Sequence, residues 1–241
     1  MPWLLDNHEV LLLDAYGVLI HHTGALPHAA ALLDHPNASG APYFIVTNDA
    51  ARLPATSAAK LAGMGLAVPA ERIISSGTLL GPYFQDNGLV GQRCAVLGTA
   101  DSLELVSQAG GEVVPPGQDA PVLVVADEAG FDFVQVIDDI LTMLFARLDR
   151  GAPVRLVLPN PDLIYPKTEQ GYGITSGSIG LLMEGVLRQR YPGRDDVCFE
   201  RLGKPNPPIF KAALARAGVS AQNMVMVGDQ PGTDIRGANA T

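Results

Sequence analysis

Four apolar residues in a row, Val10–Leu13, end on a carboxylate at Asp14, and Gly17 follows three residues later. An unbroken Val-Leu-Leu-Leu run reads as a short strand covered on both faces, the pattern of a parallel sheet. Asp14 then sits at the C-terminal tip of a buried strand, an awkward place for a charge that serves only stability. In an open α/β sheet that tip is also where ligands bind, in the crevice beyond the strand ends. Gly17 offers the permissive φ with which the chain can turn away.

The rest of the chain repeats this theme. Apolar runs at 43–46, 94–97, 122–126, 154–158 and 224–227 read as further strands. Helical patterns lie between them. Residues 55–64 are Ala-rich and closed by Gly65, and Asp101 can cap a helix to Ala109 with Glu104 at the capping-box position. Residues 132–150 carry Phe133, Val136, Ile137, Ile140, Leu141, Leu144 and Leu148 on one stripe. Pro207 and Pro208 suit the first turn of a helix that ends at Gly218. Strand-helix alternation of this kind predicts parallel sheets with crossover helices. Small residues at 75–81 and 175–180 suggest boundaries, so the expectation is a discontinuous core, residues 1–78 and 178–241, with a second α/β domain at 79–177 inserted. The sequence stops at Thr241 just as a helix after Asp234 begins, where a sheet of this kind would continue; the chain is expected to be either naturally short or truncated.

Composition excludes some partners. A net charge of -9 argues against nucleic-acid or anionic-membrane surfaces, both of which need a basic face. No apolar run approaches a membrane span and the N-terminus has no basic leader, so a cytoplasmic protein is expected. Cys94 and Cys198 both lie in apolar runs without partners at metal-ligand spacing, which predicts two buried free thiols.

The chemistry-bearing residues gather at strand ends. Asp14 follows the first strand, Thr47, Asn48 and Asp49 follow the second, Lys204 precedes a helix, and Gly228, Asp229, Thr233 and Asp234 follow the strand at 224–227. All C-termini of a parallel sheet share one edge, so these groups should converge. Asp14 and Asp229, with Asp234 in support, offer hard oxygen ligands suited to Mg²⁺. The Thr47 hydroxyl and nearby N–H groups can hold phosphate oxygens, Lys204 supplies a fixed cation, and Asp14 is placed to attack phosphorus. Taken singly, Thr47 also reads as a strand-end cap and Lys204 as a solvated loop cation. Asp229 and Asp234 also read as a turn and a helix N-cap.

These residues resemble the signature of the haloacid dehalogenase-like superfamily, in its class IIA (NagD-like, p-nitrophenylphosphatase) branch. The resemblance rests on the first strand with DAYGVL at 14–19, TND at 47–49, GKPNPPIF at 203–210 and GDQPGTDIRGA at 228–238. NPDLIY at 160–165 is similar to the same branch. The resemblance implies a Rossmann-like parallel-sheet core, an inserted α/β C2-type cap, and Mg²⁺-dependent phosphoryl transfer through an aspartyl-phosphate. It implies Asp14 as nucleophile and metal ligand, Thr47 and Asn48 as phosphoryl contacts, and Lys204 as the orienting cation. Asp229 would bind Mg²⁺ and Asp234 would support its shell. Asn160 and Asp162 would face the substrate, although an Asx turn with Pro161 explains them equally well. The implied partner is a small phosphorylated metabolite, and members of this branch often pair through their caps.

One position departs from the family. Its phosphatases usually carry a second Asp two residues after the nucleophile, as acid for the leaving group and base for the water; here that residue is Tyr16. The Tyr16 carbonyl can still face the metal and its phenol can donate a proton, but with an ordinary pKa near 10 it is a poor base at neutral pH. A phosphatase weak on alkyl phosphates and better on aryl or acyl phosphates is therefore expected. Two alternatives stand beside it, a binding protein that keeps the phosphate site without turnover and a 2-haloacid dehalogenase. The second has no use for the retained Asp229 and Asp234, and dehalogenases insert their cap between the first two motifs, here only about thirty residues apart. His21 and His22 follow the first motif and could line its entrance but read more simply as a solvated loop, and Arg52 is either an anion contact or, more simply, a helix-start surface residue.

Overall fold

The computed structural model describes residue 4 and residues 7–241. Residues 1–3, 5 and 6, on which the reading of the N-terminus partly rests, lie outside the described residues. Among the described residues the strands are β1 (Val10–Leu13), β2 (Ile20–His21), β3 (Gly24–Ala25), β4 (Tyr43–Thr47), β5 (Ile73–Ser75), β6 (Arg93–Leu97), β7 (Glu112–Val114), β8 (Val122–Val125), β9 (Arg155–Leu158), β10 (Ile164–Pro166), β11 (Tyr172–Ile174), β12 (Phe199–Arg201) and β13 (Met224–Val227). The chain divides into two compact units, one of residues 1–48, 54–76 and 203–241, the other of residues 49–53 and 77–202.

In the first unit a four-stranded parallel sheet runs β13-β1-β4-β5. β1 lies inside it, Val10 opposite Met224 and Leu13 opposite both Val227 and Ile45. All four β1 residues are buried, as a strand covered on both faces requires. Helix α1 (Ala29–Ser39) connects β1 to β4 and helix α2 (Pro54–Gly63) leads toward β5. Leu11, Leu13, Leu19, Leu33, Tyr43, Ile45 and Ile73 form the core beneath them, each worth about 1.5–3 kcal/mol by burial. The later helix predicted to start at the proline pair is α7 (Pro207–Ala217), and Gly218 caps it at φ 67°.

The second unit has its own parallel sheet, β12-β9-β8-β6-β7, with the hairpin β10-β11. Its helices are α3 (Leu80–Asp86), α4 (Ala100–Gln108), α5 (Phe133–Asp149) and α6 (Ser176–Arg190). The stripe on α5 buries Ile137, Ile140, Leu144 and Leu148 against Leu123, Leu156, Met183 and Phe199.

Three expectations change. The second boundary falls at Gly203, not at residue 178, because α6 and β12 pack with the second unit. β12 pairs with β9, and Glu184, buried on α6, accepts from the Phe199 N–H (2.8 Å) and from Arg201 Nη2 (2.9 Å). The small residues at 175–180 are close packing and not a linker: a Cβ on Gly177 would run into the Pro161 and Asp162 carbonyls. The cap of α4 is Thr99, whose Oγ1 accepts from the Ser102 N–H while Ser102 Oγ accepts from the Thr99 N–H. Asp101 instead accepts from the Leu53 N–H.

Cys198 is the third change. Cys94 is buried as expected, but Cys198 is exposed. Burial pushes the Cys94 thiol up to about 12, so at neutral pH it holds almost no thiolate, the reactive form. A thiol reagent at pH 8 should therefore modify one thiol, Cys198, in the native protein and two in denaturant. Two fast-reacting thiols in the native protein would contradict this.

Candidate active site

The C-terminal edge of the first sheet places Asp14 beyond β1, Thr47 and Asn48 at the end of β4, and Gly228 and Asp229 beyond β13. Asp14 is 5% exposed, Lys204 3% and Asp234 0%. Lys204 Nζ donates to Asp14 Oδ1 (2.7 Å) and to Asp234 Oδ1 (2.6 Å). Asp14 Oδ1 also accepts from the Ala15 N–H at 2.7 Å. Asp234 lies on a widened helical turn, Pro231–Ile235, where its Oδ2 accepts from the Gln230 N–H.

Asn48 fixes Lys204 in place. Its Oδ1 accepts from the Lys204 N–H (2.7 Å) and its Nδ2 donates to the Lys204 carbonyl (3.0 Å). The side chain expected at the phosphate thus holds the backbone of the cation across 156 residues of sequence. Ser76 Oγ donates to the Asn48 carbonyl and ties this corner to the end of β5.

Asp14, Asp229 and Asp234 bring carboxylate oxygens within 4.8 Å of one another. Two glycines make the room. Gly17 has φ 90°, and a Cβ there would strike the Asp229 carboxylate; a Cβ on Gly228 would strike Asp234. Burial raises Asp14 to about 6 against the pull of Lys204, and burial together with Asp234 raises Asp229. Three carboxylates against one ammonium leave a double negative charge. A divalent cation with hard oxygen preference fits that donor set and that charge.

The remaining predicted residues behave differently. Tyr16 is half-buried, packs on the core of the first unit and meets the His21 ring at 5.2 Å. His21, expected in a solvated loop, is half-buried on β2. The signal for that hairpin is Gly24, which opens β3 at φ 126° directly after the turn at His22 and Thr23. Asn160 and Asp162 belong to the second unit. There Asn160 Oδ1 accepts from the Asp162 N–H (3.0 Å), the Asx turn. The Asn160 carbonyl accepts from Ser176 Oγ at the start of α6. Arg52 pairs with Asp49 at 2.9 Å.

Comparison with known proteins gives the class. The profile of haloacid dehalogenase-like hydrolases matches residues 11–112, and a second HAD-hydrolase-like profile matches residues 201–241. The solved structure of a possible sugar phosphatase of the HAD superfamily from Cytophaga hutchinsonii superposes with TM-score 0.85 at 31% identity, covering 99% of this chain and 84% of that one. The chain belongs to the haloacid dehalogenase-like hydrolase superfamily. An acid sugar phosphatase from Staphylococcus aureus is 25% identical over 238 residues, 96% of this chain and 82% of the relative. A p-nitrophenyl phosphatase from Archaeoglobus fulgidus shares the fold (TM-score 0.77, 23% identity, 97% of this chain and 83% of that one). NagD from E. coli shares it too (TM-score 0.78, 22% identity, 97% and 84%). No helix among the described residues is long and apolar enough to cross a membrane.

Proposed function

We propose that this hydrolase cleaves small phosphate monoesters in a Mg²⁺-dependent reaction that passes through an aspartyl-phosphate on Asp14. The observation that carries the reading is the buried Asp14–Lys204–Asp234 contact, with Asp229 beside it, at the C-terminal edge of a parallel sheet. The names of the phosphatase relatives support the same reaction class.

Asp14 Oδ1 is engaged by Lys204 and by the Ala15 N–H, so in this reading Oδ2 is the attacking oxygen. A bond forms from Oδ2 to phosphorus as the phosphorus–oxygen bond to the leaving group breaks, and the leaving oxygen departs with the electron pair. Water then attacks the aspartyl-phosphate, releasing inorganic phosphate and restoring the carboxylate. Lys204 keeps Asp14 oriented and screens it from the incoming phosphate, while Asn48 holds Lys204 in register. Thr47, at the end of β4, is the phosphoryl contact in this reading. Asp14, Asp229 and Asp234 would hold Mg²⁺, with the Tyr16 carbonyl a further oxygen donor, and the bound ion would supply charge stabilisation at the phosphoryl oxygens.

Turnover of p-nitrophenyl phosphate and acetyl phosphate with Mg²⁺ tests this. Release of phosphate that EDTA abolishes and added Mg²⁺ restores is expected. Mg²⁺-dependent phosphate binding without turnover of either substrate would instead identify a binding protein.

A further inference from the structure

Residues 49–53 follow Thr47 and Asn48 directly in the chain, yet they pack as part of the second unit. Ala50 and Ala51 are buried there and have no polar side-chain atom, so hydrogen bonds can hold them only by the backbone. The start of α4 does so. Ser102 Oγ donates to the Ala50 carbonyl (2.8 Å), Thr99 Oγ1 donates to the Ala51 carbonyl (2.6 Å), and Asp101 Oδ2 accepts from the Leu53 N–H (3.0 Å). Gly77 closes on the same segment. Its N–H donates to the Asp49 carbonyl, and a Cβ on it would press on Ala50 Cα at 3.2 Å. The Thr99 and Ser102 hydroxyls therefore serve twice. Their lone pairs cap α4, accepting from the Ser102 and Thr99 N–H groups, while their protons go to the carbonyls of residues 51 and 50. Capping alone uses only the lone pairs.

We infer that Thr99, Asp101 and Ser102 are positioning residues for the phosphoryl contact, holding Thr47 and Asn48 in register through residues 50–53. This role rests on the phosphatase reading and deepens it. Consecutive Cα atoms stand about 3.8 Å apart, so a shift at Ala50 reaches Asn48 and Thr47 within a few peptide units. Asn48 grips the Lys204 backbone with both ends of its amide, so the same shift also displaces the cation. None of these groups belongs to the leaving group's side of the reaction. Loosening them should weaken the hold on the phosphoryl group alike in every substrate and in free phosphate.

Two double variants test this. Thr99→Asp keeps a strong helix cap but has no proton for the Ala51 carbonyl, and Asp101→Ala removes the acceptor for the Leu53 N–H. Together they should raise the Kd of inorganic phosphate in Mg²⁺, and the KM of both acetyl phosphate and p-nitrophenyl phosphate, by a common factor of about ten. Thr99→Ser with Asp101→Asn keeps the hydroxyl and the acceptor oxygen and should behave as wild type. Unchanged phosphate affinity in the first variant, with only a lower melting temperature, would reduce these contacts to folding of the second unit and overturn the role. A rise in KM for one substrate alone would overturn it too, by tying the contacts to the leaving group. A wild type that neither binds phosphate nor turns over either substrate would overturn the phosphatase reading itself.

Discussion

Asp14→Asn is expected to lower kcat on every phosphate ester by about 10⁴- to 10⁶-fold, the loss typical of removing a covalent nucleophile, without unfolding the protein. Asn keeps the size of the side chain, and Lys204 keeps Asp234 as a charged partner at 2.6 Å. Stability should move the other way. The Asp14 carboxyl is held at about 6, above its ordinary value of 3.8, because burial disfavours the ionised form more than Lys204 favours it. An acid whose folded pKa is raised binds its proton more tightly in the folded state. Its ionisation therefore costs stability as pH rises through that window, in total about 3 kcal/mol for two units. In EDTA at pH 7.5, Asp14→Asn should melt above the wild type, and the gap should close as pH falls below about 4. A variant that melts well below wild type at pH 7.5, or one that keeps a tenth of the activity, would remove Asp14 from the role assigned to it.

That opposition between activity and stability explains why the first strand was so readable. A carboxylate at the end of a fully apolar strand makes little sense for folding alone, and Asp14, Gly17, Lys204 and Asp229 each stand at a strand end or turn that local pattern can identify. What stayed hidden depends on contacts far apart in sequence. Nothing near Asn48 signals that its amide will hold the backbone of Lys204. Gly177 and Gly180 look like linker residues until the Asp162 carbonyl and Leu158 are found against them. Cys198 has apolar neighbours on both sides, yet in an extended segment alternate residues face opposite ways, so Val197 and Phe199 turn inward and the thiol outward. Thr99 and Asp101 are both good capping residues two positions apart. A Cβ at Gly98 would strike Ser102, so a glycine just before Thr99 lets Ser102 close the capping box there.

Tyr16→Asp should do the reverse of Asp14→Asn and create activity. The Tyr16 phenol is a weaker proton donor to a departing alkoxide than a positioned carboxyl, and positioned acid-base help is worth about 10² to 10⁴ in rate. An Asp there is carried by the loop that Gly17 turns against Asp229 and that the Ile20 carbonyl and N–H pin in place. The substitution removes a half-buried ring from the core of the first unit, at a stability cost of about 1–2 kcal/mol. Tyr16→Asn bears the same packing loss with no proton to give. The expected result is a gain in kcat on glycerol phosphate of 10²-fold or more for Tyr16→Asp and none for Tyr16→Asn, with acetyl phosphate changing only a few-fold in either. Because acetate needs no proton to leave, the selectivity of the gain matters more than its size. Equal gains on both substrates would point to a looser site, and no gain on glycerol phosphate would mean that position 16 is not what limits this enzyme.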